Sequence, residues 1–302
     1  MTTAPAQPTS ARQSLLARHP LVSFFVMAYA FSWIVWAPWV LGEDGAKLLP
    51  PALSVVQPTS GLLLAAGILA GPTFSALIMT SVTEGRIGIR RLLGRYVLWR
   101  VGIRWYLFAL LGVPLVMVLG TVIVSGDLPN LGALGGLSFV PGYLVYFSLV
   151  LLIGGPLLEE GGWRGFALPR MQLLHGPLMA SLILGVLWAL WHLPEFLVPH
   201  WAASSGGGSI LGITQFVVIA VAIAIMMTWV FNNTRSSLLL AILVHTSIDA
   251  SGRPLGEIFP PAAAASALPL LVGIGALAVV LVVFTRGRLG YRPEGAAALR
   301  VR

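Results

Sequence analysis

The stretch GGPLLEEGGWRGFALPRM, Gly154 to Met171, sets two adjacent glutamates, Glu159 and Glu160, after a long apolar run and follows them with Arg164. On a helix, Glu160 and Arg164 are four residues apart, share a face and can pair, whereas Glu159 points about 100° away. One acid is thereby compensated and its neighbour is left for other work. Two further stretches carry polar groups in apolar surroundings. LWALWHLPEF places His192 one turn after Trp188, and LLLAILVHTSIDAS sets His245 and Asp249 at i and i+4 on one face. A carboxylate and two imidazoles in a partly dry cavity can activate water: the carboxylate takes a proton, and a neighbouring donor stabilises the oxyanion formed when water attacks a carbonyl. Glu159, His192 and His245 are equally the ligand types of a catalytic zinc, so zinc is the one cofactor these residues could hold, and the sequence does not separate the two readings. A non-catalytic proton or ion relay, in a transporter or an immunity scaffold, is a third use of the same groups.

The elements that must position these residues are membrane spans. Of the 302 residues, 57% are hydrophobic and 9% charged, which is outside the range of a soluble domain. Eight apolar segments are predicted, at about 21–41, 61–82, 105–124, 141 through the glutamate pair, 178–197, 210–231, 236–250 and 267–285, each near the length that a hydrocarbon core of roughly 30 Å requires. The expected fold is therefore all-α: a polytopic bundle of about eight transmembrane helices. Residues 1–20 read as a disordered cytoplasmic tail, 21–286 as a single transmembrane domain and 287–302 as a basic cytoplasmic tail. The Ala28-Tyr29-Ala30 triplet resembles a signal-peptidase site, but the apolar run continues past it, which favours an uncleaved first span. With eight spans, sixteen of the eighteen Lys and Arg residues fall on the side of both termini, and only Lys47 and Arg253 lie opposite. That asymmetry places the termini in the cytoplasm of a multi-pass cell-membrane protein. It also explains the net charge of +8 without nucleic acid. Gly85 to Arg100 carries five arginines interleaved with apolar residues and is expected to be an amphipathic helix on the membrane surface before the third span.

The fourth span runs toward the cytoplasm, and the fifth and seventh run away from it. Counted at 1.5 Å per residue, Glu159, His192 and His245 nevertheless lie at comparable depths, about 14 to 21 Å from that face. A lone histidine on an apolar helix is usually a packing residue, and a His–Asp pair can merely brace a bundle. The coincidence of depth weighs against both. There is no cysteine, so thiol nucleophiles, disulfides and Cys-ligated metals are excluded. Glu195, His175 and His200 lie in or beside loops and are expected to be solvated, with Glu195 near enough to His192 to border a cavity mouth. The ten tryptophans are expected to be mostly interfacial anchors.

In this order, Glu159-Glu160-x-x-x-Arg164, Trp188-x-x-x-His192 and His245-x-x-x-Asp249 resemble the signature of the CAAX protease and bacteriocin-processing family, also called CPBP or Abi proteins. The resemblance covers roughly residues 141–250. It implies an eight-helix intramembrane endopeptidase that cleaves near the C terminus of a membrane-associated or lipidated protein or peptide, in contact with the bilayer. Carried onto this chain, it implies that Glu159 and His192 activate water, that His245 and residue 249 hold the oxyanion, and that Glu160 and Arg164 form a structural ion pair. Two positions depart from the usual pattern. Trp188 stands where Phe is common, and Asp249 stands where Asn is usual. An ionised Asp cannot donate to an oxyanion, so orienting His245 is the more natural role for it.

Overall fold

The computed structural model describes residues 14–57, 59–264 and 266–292, and every regular element among them is helical, as the expected all-α class requires. The predicted tails fall largely on residues outside this range. Among the described residues, six stretches are long and apolar enough to cross a membrane: Pro20–Val40 (α1), Ser60–Tyr96 (α2), Ile103–Ser125 (α3), Gly136–Trp191, Ile210–Asn233 and Leu268–Thr285. The fourth of these contains Phe139–Ile153 (α4), Pro156–Glu160 (α5) and Leu168–Trp191 (α6). Ile210–Asn233 is α7, Leu238–Ile258 is α8 and Leu268–Thr285 is α9.

The difference between eight predicted segments and six has a physical source. The fourth predicted segment and most of the fifth lie within 136–191, and α8, the seventh, is not among the six. It carries His245, Asp249, Arg253 and Glu257 along its 21 residues. It is packed against α3, α4, α5 and α7 with thirteen of those residues buried, His245 among them, while Asp249, Arg253 and Glu257 are exposed and Arg253 pairs with Glu257 at 3.5 Å. Polar groups at membrane depth are tolerated where they face protein. In contrast, α4 has no buried residue and is apolar throughout.

Local backbone features re-aim the chain around the site. Gly154 and Gly155 end α4, and Pro156 opens α5, where its missing N–H costs nothing. Between α5 and α6 the helix widens into a π-helical segment, Gly161–Ala167, all of it buried. It lies against a second π-helical segment, Leu69–Thr73 within α2, and Thr73 donates a hydrogen bond to the Leu158 carbonyl. Residues 164–176, between the fourth and fifth predicted segments, are helical, and the chain turns only at Gly176 (φ 73°) before Pro177. The basic segment follows a kink within α2 at Gly85 (φ 61°). It is partly packed on protein: Leu92 is buried, Arg95 donates to the Gly165 carbonyl at 3.0 Å, and Glu84 pairs with both Arg91 and Arg170. Its Ile87, Leu93, Val97 and Trp99 are exposed. Elsewhere small residues permit the close helix approach on which packing in lipid depends. Gly120 of α3 faces Gly273 of α9 with no room for a side chain on either.

Candidate active site

Glu159 lies in α5 and is 4% exposed. Its Oε2 accepts two indole N–H bonds, from Trp188 at 2.8 Å and from Trp163 at 3.2 Å. Trp163 reaches it because it is one turn further along the helical stretch, and Trp188 because α6 folds back past the Gly176 kink. The other oxygen, Oε1, sits against Gly155, where a Cβ would stand 2.6 Å from it. Gly155 also has φ 122°, a conformation that side-chain-bearing residues rarely adopt. Glycine is thus required there for two independent reasons.

Glu160 is fully buried and serves two partners through one oxygen. Its Oε1 accepts from Arg164 at 2.9 Å and lies 2.8 Å from Nδ1 of His245. Arg164, also fully buried, holds its guanidinium carbon 4.9 Å from the centre of the Trp188 ring. His245 meets the same indole edge-on at 5.2 Å. Its Nε2 stands 3.6 Å from Oδ2 of Asp249, too far for a hydrogen bond but within ion-pair range. The short contact that orients the imidazole is therefore with Glu160 and not with Asp249. The side chain of Asp249 is 37% exposed.

His192 caps the C-terminal end of α6, half-buried, with Nδ1 2.9 Å from the Trp188 carbonyl oxygen. A carbonyl can only accept, so Nδ1 carries the proton, and in the neutral ring the lone pair is on Nε2. The ring stacks on Trp201 at 5.9 Å and touches Phe216 edge-on.

These groups line one cavity of about 410 Å³, with Glu159, Trp188, His192, Glu195, His245 and Asp249 in its wall. Three parts of the site were not foreseen from the sequence. Trp163 and Trp188 are hydrogen-bond donors to the acid, so tryptophan for phenylalanine at 188 is not a neutral exchange. Gly155 shapes the space around Oε1. Glu195 is not solvated but 1% exposed, because the 3₁₀ turn Leu193–Leu197 carries it inward. In such a turn residues three apart lie nearly in line, so the spacing from His192 was the available signal. His175 and His200 are exposed.

Among the described residues, no three His, Asp or Glu side chains form a group arranged to hold a metal. In the set Glu159, His192 and His245, Oε2 of Glu159 meets two indoles, and Nδ1 of His245 and of His192 is held by Glu160 and by the Trp188 carbonyl.

Fold and site together define a multi-pass helical membrane protein with a carboxylate–imidazole cavity enclosed by its helices. Residues 141–251, which supply most of that cavity's polar wall, match the family model described as Type II CAAX prenyl endopeptidase Rce1-like. The resemblance read from the three motifs, to the CAAX protease and bacteriocin-processing family, is borne out over this stretch. The chain is also 30% identical over 138 residues to CAAX prenyl protease 2 of Methanococcus maripaludis, an alignment covering 45% of this chain. The chain spans about half the length of that curated relative, 50%.

Proposed function

We propose that this protein is an intramembrane endopeptidase of CAAX-protease type, hydrolysing a peptide bond near the C terminus of a membrane-associated or lipidated protein or peptide. The carrying observation is that Glu159, His192, His245 and Asp249, spread over ninety residues of chain, line a single cavity. The family match over 141–251 supports the same reading.

In this mechanism a water lies between Glu159 and His192. Its oxygen attacks the scissile carbonyl carbon, its proton passes to Glu159 or to Nε2 of His192, and the carbonyl electrons move onto oxygen. The two indole donors hold the Glu159 carboxylate in place without consuming its second oxygen. His245, held at Nδ1 by Glu160, donates from Nε2 in its doubly protonated form to the oxyanion. Collapse of the intermediate breaks the C–N bond, and the departing amine recovers the proton. Glu160 and Arg164 are the structural pair beneath this machinery. The Lys and Arg asymmetry supports a cell-membrane location with both termini cytoplasmic. The exposed apolar residues of 87–99, interleaved with arginines, support a segment lying on the membrane surface.

Glu159→Gln preserves shape and removes the base. In detergent or bilayer nanodiscs, cleavage of a farnesylated C-terminal peptide is expected to fall by about 100-fold or more, with unchanged thermal unfolding. Zinc chelators are expected to leave wild-type turnover intact. Undiminished cleavage by the Gln variant would remove Glu159 from the reaction, and ion flux without any peptide product would favour a relay.

A further inference from the structure

Three carboxylates line the cavity, and two have evident partners: Glu159 has its indoles and Asp249 faces His245. Glu195 does not. It is 1% exposed, and its Oε2 has no hydrogen-bond partner among the described residues. Among the described residues, no lysine or arginine lines the cavity. A buried carboxylate oxygen left unpaired is costly, and the cost is relieved when a cation reaches it.

We propose that Glu195 is a specificity-determining residue that receives the basic side chain, lysine or arginine, of the peptide being cleaved. The proposal rests on the endopeptidase reading for the identity of the occupant. The surroundings suit a long aliphatic stem with a cationic head. The cavity wall is mostly apolar, with Ile219, Ile223 and Leu270 in it, and Glu195 is one of its few ionisable groups. Trp201 and Phe216, which pack on each other and on His192, line the same space, and aromatic rings attract a cation in reach of their faces more than a neutral group. A volume of about 410 Å³ accepts one or two side chains and not a folded domain. An acidic side chain in the same position would meet three carboxylates and be rejected.

Binding separates this proposal from the catalytic one. Three otherwise identical membrane-partitioning peptides, carrying lysine, norleucine or glutamate at one position beside the scissile bond, are titrated by equilibrium dialysis against the full chain in nanodiscs. The Glu159→Gln variant serves as host, so that no peptide is consumed. Lysine is expected to bind about tenfold or more tighter than norleucine, and glutamate weakest. Adding Glu195→Gln is expected to bring lysine and norleucine within about twofold of each other while norleucine binding is unchanged. Equal binding of lysine and norleucine before that change, or an undiminished preference after it, overturns the proposal. Should Glu195→Gln fail to fold, equal binding of lysine and norleucine by the host still overturns the proposal. A lysine preference in binding with no cleavage of any peptide by the wild-type chain would sink the endopeptidase reading and leave the cation site standing.

Discussion

The indole N–H of Trp188 donates to Oε2 of Glu159 across 29 residues of chain at 2.8 Å. The same ring faces the Arg164 guanidinium and packs perpendicular to His245, so one side chain joins all three polar clusters. A phenylalanine there would keep the ring contacts and lose the bond. A hydrogen bond to a charged group contributes about 1.5 to 3 kcal/mol. Trp188→Phe is therefore expected to lower kcat by about 10- to 100-fold with little change in KM. Steady-state kinetics on a peptide substrate checks this, and wild-type kcat in the Phe variant would show that the bond has no part in turnover.

Gly155 offers a second probe that touches no polar atom. Alanine there must adopt φ 122° and place its methyl against Oε1 of Glu159, so it is expected to displace the acid. Gly142, in open space on α4, is the control. Gly155→Ala is expected to lose about tenfold or more in kcat, and Gly142→Ala less than twofold. Equal effects of the two would mean that the spacing at Oε1 does not matter.

The polar skeleton of the site was legible because ionisable residues in apolar segments are too costly to be incidental, and fixed helical spacing says which of them share a face. Glu160 with Arg164 and His245 with Asp249 followed from that rule alone. What remained hidden depended on contacts between helices. Six of the ten tryptophans are buried, among them Trp163 and Trp188, although composition favoured interfacial anchors. Spacing along a chain cannot reveal that an indole N–H ends on a carboxylate from another helix. Glu195 was misplaced for a related reason. The Pro194 beside it reads as the exit to a loop, yet the turn closes under Phe196, Trp201 and Phe216. The span count suffered at α8, where His245, Asp249, Arg253 and Glu257 lower the hydropathy of a helix that still buries thirteen of its residues.

Glu160 sits between Arg164 and His245, so its removal and that of Arg164 should differ in kind. Arg164→Met leaves a buried carboxylate with one partner fewer and is expected to destabilise by about 3 to 5 kcal/mol. Adding Glu160→Gln removes the orphaned charge, so the double variant should recover much of that stability while remaining inactive, because His245 has lost its carboxylate. Thermal unfolding and peptide cleavage on the single and double variants form the cycle. Recovery of activity together with stability would show that Glu160 is structural only.

Asp249 lies 3.6 Å from Nε2 of His245, the atom that would face the oxyanion. When ionised it can only accept, so it competes with the oxyanion for the Nε2 proton. Asparagine has nearly the same shape and adds an N–H₂ that can itself donate. Asp249→Asn is therefore expected to raise kcat by a few-fold, about two to ten, whereas Asp249→Ala, which removes the competing acceptor but adds no donor, should raise it by less than the Asn variant does. Single-turnover rates on a peptide substrate distinguish the cases. A loss of tenfold or more in the Asn variant would mean that the negative charge is needed, and the carboxylate would then be assigned to holding His245 in its doubly protonated form.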